Sequence, residues 1–525
     1  MNNVLILLKV QFLSLLKANS QGSKKRKAAG LGTLFILGAA FLYMAVVYAI
    51  SMVATFPEGY KHIALYVMGI LTIIMLMIFG YQSAGGHLFG FKDFDLLMSL
   101  PVRKEEVLIS KFVSFLMLEY FYAFFILVPS IIIVGISCSY GISYYLLGFI
   151  TLILAPIVPM VLSSILAYGS MKLASKFKYK NLMNNVFYII LMGLVFALVF
   201  GYQELLYGNI TQLVSVMENV QKYLPFIALM FDGMALNNYV HFLLGCLINI
   251  VVFILFVVVF SKNFIKLNGQ MNTGYKDKNF KLTASKANSA YMALFMKELR
   301  MYFSYTVYFM NTAIFPILMI GGFAYACIGM KDEITLLMGY FPELVIFVLC
   351  GSIFTMNLMS CTTNSSISLE GENINSLKAY PIDPMDIFIA KMSVNLMVTL
   401  PFGFVSGILS FIFLKISLIE VLLMMLTACT SGYFISALGL ILNLHFYRFD
   451  WENVATVVKQ SMPVFITTMG GMVVGAAVIG LGFTLQEMIQ PIILVLLLNV
   501  ILFIIDLLFY FYLKNGGRKQ FYKIH

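Results

Sequence analysis

The sequence predicts an all-α polytopic membrane protein of about twelve transmembrane helices, arranged as two pseudo-symmetric six-helix halves. Three observations predict it. The first is composition: 61% of the 525 residues are hydrophobic, 11% are charged, and the mean hydropathy is +0.94. A soluble chain carries about 25% charge. The second is the recurrence of apolar runs of roughly 20 residues, the length that crosses a hydrocarbon core of about 30 Å as a helix. The third is one pattern that occurs twice. FDLLMSLPVRKEEVLISKF occupies Phe94–Phe112, and INSLKAYPIDPMDIFIAKM occupies Ile374–Met392, 280 residues later without a gap. Leu97, Pro101, Ile109 and Lys111 recur as Leu377, Pro381, Ile389 and Lys391. Each copy follows the second long apolar run of its half. The chain therefore reads as a duplicated membrane unit whose copies kept the same polar elbow on the same side of the membrane.

Taken in order, Met1–Gly30 is basic and amphipathic, with Leu5, Leu8, Phe12 and Leu15–Leu16 alternating with Lys9, Gln11 and Lys17. It lacks a short apolar core ending in small residues, so it reads as an interfacial helix and not a cleaved signal. Spans are expected at 30–53, 62–83, 107–136, 142–172, 184–202 and 239–261 in the first half (1–266). A polar stretch over 267–289, rich in Asn, Gly, Ser, Thr and Lys, reads as a linker. The second half (290–525) opens on an amphipathic stretch in which Met292, Phe295, Met296 and Leu299 alternate with Lys297, Glu298 and Arg300. Its spans are expected at 304–328, 340–359, 385–414, 419–444, 461–484 and 489–513. Prolines 156, 159, 316, 401 and 463 are candidate kinks.

Charge sets the orientation. Thirty of the 34 Lys and Arg fall on one side of this arrangement, and only Lys61, Lys222, Lys331 and Lys415 fall on the other. The positive-inside bias places both termini in the cytoplasm. The same scatter along one membrane face accounts for the net charge of +11 without nucleic acid as a partner. A direct expectation follows for single cysteines introduced into a cysteine-free background. Those in Asn268–Ser289 should be shielded from an impermeant thiol reagent in intact cells, whereas those in Gln203–Asn237 should react. Labelling of the linker from outside would overturn this topology.

The elbows carry the most specific signal. Phe94, Leu97 and Met98 share one face of a short helix, and Ile374 and Leu377 hold the matching positions. Pro101 and Pro381 end those helices, because proline disfavours helical geometry in the residue before it. Arg103 closes the first elbow; at the second, Asp383 is a good N-cap with Pro384 at the first helical position. The helix behind each elbow is about 45 Å long at 1.5 Å per residue, more than the hydrocarbon core. Lys111 and Lys391 fall within its first two turns, where a long side chain reaches headgroups by snorkelling.

With its interfacial opening helix, six spans, and a short helix between spans two and three, each half resembles the permease of ABC-2-type (type V) exporters, here as two fused six-helix halves of a bacterial protein. In that family a phrase like LPV…KF can mark the turn into the third span, and LMSLPVRKEEVLISKF resembles it well; LKAYPIDPMDIFIAKM matches less closely. The resemblance implies export of an amphiphilic substrate (lipid, peptide or drug) across the bacterial plasma membrane. It implies a separate ABC ATPase subunit, in two copies, docked at Lys92–Arg103 and Glu372–Asp383, with ATP and magnesium held by that partner. It also implies a re-entrant hairpin between spans five and six. Gln203–Val240 has the place and length for one, while only Thr484–Met488 separates the last two spans of the second half.

No GxxxxGK[ST] phosphate loop occurs, so the chain is expected to be a transport subunit and not an enzyme, with no cofactor of its own. The five histidines are dispersed without metal-ligand spacing, and the six cysteines lack a CxxC pair and read as small packing residues. Two acids lie within spans, Glu119 in the third and Asp506 in the twelfth. An intramembrane acid is by default a functional candidate. These two are candidates for lining a transport path or for pairing between helices. The alternative to an ATP-driven exporter is an ion-coupled secondary transporter, which also often has six-plus-six symmetry.

Overall fold

The computed structural model describes residues 4–10, 42–88, 94–177, 180–206, 218–272, 289–340, 342–449, 451, 454–459, 461–485 and 488–524. Most of the N-terminal amphipathic segment, the start of the first span, Lys92 and the linker from 273 to 288 lie outside the described residues. Ten helices are long and apolar enough to cross a membrane. Two shorter apolar helices, Leu42–Thr55 and Lys180–Val195, stand in the places of the first and fifth spans. Among the described residues there is no strand. The all-α polytopic fold is as the hydropathy predicts.

Two compact units divide the chain, Met1–Phe280 and Lys281–His525. In the first, α1 (Leu42–Thr55) and α2 (Ile63–His87) precede the elbow helix α3 (Phe94–Ser99) and the long α4 (Lys104–Ser137). The expected fourth span is one of the ten, Ile142–Ala174, with its hydrogen-bond ladder interrupted at Ala155–Pro156 between α5 (Ile142–Leu154) and α6 (Ile157–Ala174). Then come α7 (Lys180–Leu206), α8 (Pro225–Ala235) and α9 (Tyr239–Asn272). The expected linker thus begins later than composition suggests, because α9 stays helical through 267–272. The segment between the fifth and sixth spans contains a buried apolar helix. Phe226, Ile227, Met230 and Phe231 of α8 enter the unit's core with Tyr66, Leu127 and Tyr144. Buried Asp232 fastens α8 to its neighbours: Tyr66 donates its hydroxyl to it, Gln221 Nε2 donates at 3.0 and 3.1 Å, and His241 Nδ1 lies 3.1 Å away.

The second unit runs α10 (Ala290–Ser304), α11 (Thr306–Gly329), α12 (Lys331–Tyr340), α13 (Pro342–Met359), a single turn α14 (Thr363–Ser366), the elbow helix α15 (Ile374–Ala379), and the long α16 (Pro384–Leu414). It continues with α17 (Leu418–His445), α18 (Val454–Val458), α19 (Met462–Leu485), α20 (Pro491–Tyr512) and a tail helix α21 (Arg518–Lys523). Pro316 and Pro401 lie inside unbroken helices. Ser289 caps α10 by accepting from the Met292 N–H at 3.3 Å. The face that α10 buries within the protein is Leu294, Glu298 and Tyr302. Those three are four residues apart and so share one helical stripe. The polar Glu298 is turned inward because a cation waits for it.

Candidate coupling site

The two elbows are built alike down to the backbone. α3 and α15 start and end 280 residues apart, as do the starts of α4 and α16. Between them, Val102 N–H donates to the Leu100 carbonyl and Ile382 N–H to the Tyr380 carbonyl, each at 2.8 Å. This is a three-residue turn centred on Pro101 or Pro381, whose ring fixes φ near the value such a turn needs. Glu106 N–H then meets the Arg103 carbonyl and Asp386 N–H the Asp383 carbonyl, both at 3.0 Å. A proline turn of this kind sets the angle between short and long helix without any long-range contact.

Their helix caps differ in chemistry. At the first elbow the Arg103 N–H donates to the Glu106 carboxylate at 3.0 Å. At the second, Asp383 accepts from the Met385 N–H at 2.9 Å and also pairs with Arg518 of the tail helix. Either way an acid meets the free N–H groups at the positive end of a helix.

Burial separates the copies further. Leu97 is half-buried, and Leu377 is 6% exposed. Leu377 and Ile374 belong to a core formed with Met385, Phe388, Leu513, Phe521 and Ile524. Leu377 lies in the stretch Glu372–Asp383 expected to dock a partner, but its side chain is not free to do so: the chain's own C-terminal segment covers it. That segment turns back through a π-helical bend at Leu513–Gly517. Phe521 meets Phe388 edge-on at 5.8 Å, and Lys378 donates to the Ile524 carbonyl. Partial burial draws the Lys378 ammonium below its usual range. Among the described residues, the large apolar groups that the elbows present outward are Leu100 and its counterpart Tyr380, 42% and 62% exposed. Pro101, Arg103, Pro381 and Asp383 are exposed beside them.

Lys391 also corrects its expectation. It does not snorkel to headgroups; it is 1% exposed. Its Nζ donates to Glu298 at 2.8 Å, Glu370 at 2.7 Å and the Ser366 carbonyl at 3.1 Å. Lys297 pairs with both acids, at 3.2 Å to Glu298. Two cations and two anions thus form a neutral cluster joining α10, the segment before the elbow and α16. Its first-unit counterpart, Lys111, is only half-buried.

Sequence reasoning missed the backbone that Lys391 holds. The eighth span stops at Met359 and unwinds at Ser360–Thr362. After α14 the chain follows a 3-10 turn, Ser368–Asn373, in which Gly371 takes φ +55. A buried non-helical backbone must have its polar groups satisfied within the protein. Here Asn395 accepts from the Thr362 N–H at 2.6 Å, and Asn443 from the N–H groups of Ile367 and Ser368 at 2.8 and 3.1 Å. Thr363 and Asn364 bond the Ser436 carbonyl and Thr467 at 2.7 and 2.9 Å. The available signal was the run CTTNSSISLEGEN with isolated asparagines in the following spans.

Glu119 is buried in α4 of the first unit and Asp506 in α20 of the second. Neither belongs to an elbow or to the Lys391 cluster. Among the described residues no group of His, Cys, Asp and Glu is arranged to hold a metal ion.

A family model described as a membrane protein of 12 TMs matches residues 30–512. No curated protein and no solved structure matches the chain.

Proposed function

The chain belongs to this family of twelve-span membrane proteins, and from that premise we propose that it is the permease subunit of an ATP-driven ABC exporter. In this reading a separate ATPase subunit, in two copies, docks on the two elbows in the cytoplasm of a bacterial cell and drives an amphiphilic substrate (lipid, peptide or drug) across the plasma membrane. The chain itself is not an enzyme. The observation that carries the reading is the duplicated elbow: the same proline turn, the same helix boundaries and the same outward apolar position occur in both copies. A structural loop has no need of such repetition, whereas a docking point for two identical partners does.

The Lys391 cluster adds a route for force. A push on α15 reaches α16 through the turn at Pro381. It reaches α10 and the interrupted eighth span through Glu298, Glu370 and the Ser366 carbonyl. Buried ion pairs have fixed geometry, so these elements move together. Leu100 and Tyr380 are the contacts offered to the partner, in place of Leu97 and Leu377.

The test is partnership. Affinity-purified full-length chain from its native cells is expected to bring down a separate ATPase subunit. The chain alone should hydrolyse no ATP. Appreciable hydrolysis by the isolated chain would overturn the assignment. Substrate movement driven by an ion gradient in vesicles holding only this chain would instead favour the ion-coupled transporter.

A further inference from the structure

Glu119 sits about four turns into α4, fully enclosed at 0% exposure, and among the described residues neither carboxyl oxygen has a hydrogen-bond partner. A Cβ on Gly80 of α2 would lie 3.0 Å from Glu119 Oε1 and 2.5 Å from Ser163 Oγ of α6. The carboxyl is therefore aimed at the junction of three helices, into a spot kept free of side chain by Gly80. Ser163 and Ser164 commit their own hydroxyl hydrogens to the Met160 carbonyl, at 2.9 and 2.7 Å. The titratable side chains beside it on α4 are Tyr120, whose hydroxyl donates to the Ile153 carbonyl of α5 at 2.8 Å, and Tyr122, stacked on Phe79 at 4.3 Å. On α2 the residue after Gly80 is Tyr81, whose hydroxyl is engaged by Ser170 at 2.7 Å. α2 contains no Asp, Glu, Lys or Arg, and the charged residue of α6 is Lys172, more than two turns from Ser163.

An ionised carboxylate in this place would be enclosed by helix surfaces with no counter-charge, a state costing several kcal/mol or more. A methyl group on Gly80 would not fit beside Oε1 without displacing Ser163. A proton fits, and it neutralises the group. We propose that Glu119 is a proton-binding site within the spanning helices. It is loaded while α2, α4 and α6 are packed together and discharged when they part, which links the working cycle of the first unit to protons. This goes beyond the permease assignment and requires no ATPase.

The probe is dicyclohexylcarbodiimide, a lipid-soluble reagent that needs the carboxyl proton. That proton goes to a carbodiimide nitrogen before the carboxylate oxygen adds to the central carbon. The purified full chain is placed in vesicles of phosphatidylethanolamine and phosphatidylglycerol, and adducts are located by peptide mass spectrometry. Glu58, with a side chain 95% exposed, serves as the internal comparison. An ordinary glutamate keeps its proton in fewer than about one molecule in a hundred at pH 7. Glu119 is expected to react at neutral pH at least about tenfold faster than Glu58, a ratio that protonation alone supplies. The reaction should fade as pH rises, and Glu119→Gln should remove the adduct while melting like the wild type, because an amide mimics the neutral acid. Reaction no faster than at Glu58 would overturn the proposal. So would a Glu119→Gln protein with a lowered melting temperature, which would mark a charged structural partner.

Discussion

Lys391→Met is expected to remove the stable fold of the second unit. Lys391 neutralises two buried acids that belong to different segments, Glu298 on α10 and Glu370 before the elbow. Deleting one partner of a buried ion pair costs about 3–5 kcal/mol, because the charge left behind is enclosed without compensation. Here two carboxylates would be left sharing Lys297 alone. The measurement is the temperature at which the detergent-solubilised protein loses its monodisperse gel-filtration peak, read beside expression level. Removing the whole charge set should rescue much of the loss, since buried ion clusters are often replaceable by neutral groups of similar volume. Lys391→Met combined with Glu298→Gln and Glu370→Gln is therefore expected to melt well above the single variant. Lys111→Met in the first unit is expected to do less harm, because Lys111 is only half-buried. A Lys391→Met protein as stable as the wild type would mean that the cluster does not hold these elements together.

The second large effect separates packing from docking at the elbows. Leu377→Asp is expected to prevent accumulation of folded protein. It removes a leucine buried with Phe388 and Phe521, a loss of about 2–5 kcal/mol before the added charge is counted. Leu100→Asp and Tyr380→Asp, at exposed positions, are expected to leave expression and melting unchanged while weakening capture of the ATPase subunit by more than about tenfold. Burying a leucine at an interface contributes roughly 1.5–3 kcal/mol, and about 1.4 kcal/mol is a factor of ten. Pull-down of the ATPase subunit and transport, each measured beside the amount of folded protein, distinguish the two outcomes. Retention of both by Leu100→Asp and Tyr380→Asp would make the elbows ordinary loops and remove the main support for the exporter reading. Normal folding of Leu377→Asp would show that the tail does not cover the second elbow.

Some features of this chain were fixed by local physics and could be read directly. Spans follow from runs of apolar residues, because a helix in lipid satisfies its own backbone and needs no partner to exist. The elbows were legible for the same reason. Proline sets the turn at Pro101 and Pro381 from within three residues, and Asp383 caps its helix from two residues away.

Other features depend on what arrives from far along the chain. Leu97 and Leu377 are the same residue at the same place in the repeat, yet one is half-buried and the other enclosed, because Phe521 and Ile524 return from the C-terminus to cover the second copy. Lys111 and Lys391 look equally suited to snorkelling, yet in the second unit a carboxylate from α10 and another from the segment before the elbow meet the Lys391 ammonium. The break at Ser360–Thr362 survives because Asn395 and Asn443, on later helices, satisfy its backbone. Hydropathy determined that this protein crosses the membrane, and the recurring elbow residues marked the repeat. Tertiary structure decided which repeated side chains face outward, because a buried contact depends on both partners and a sequence window contains only one.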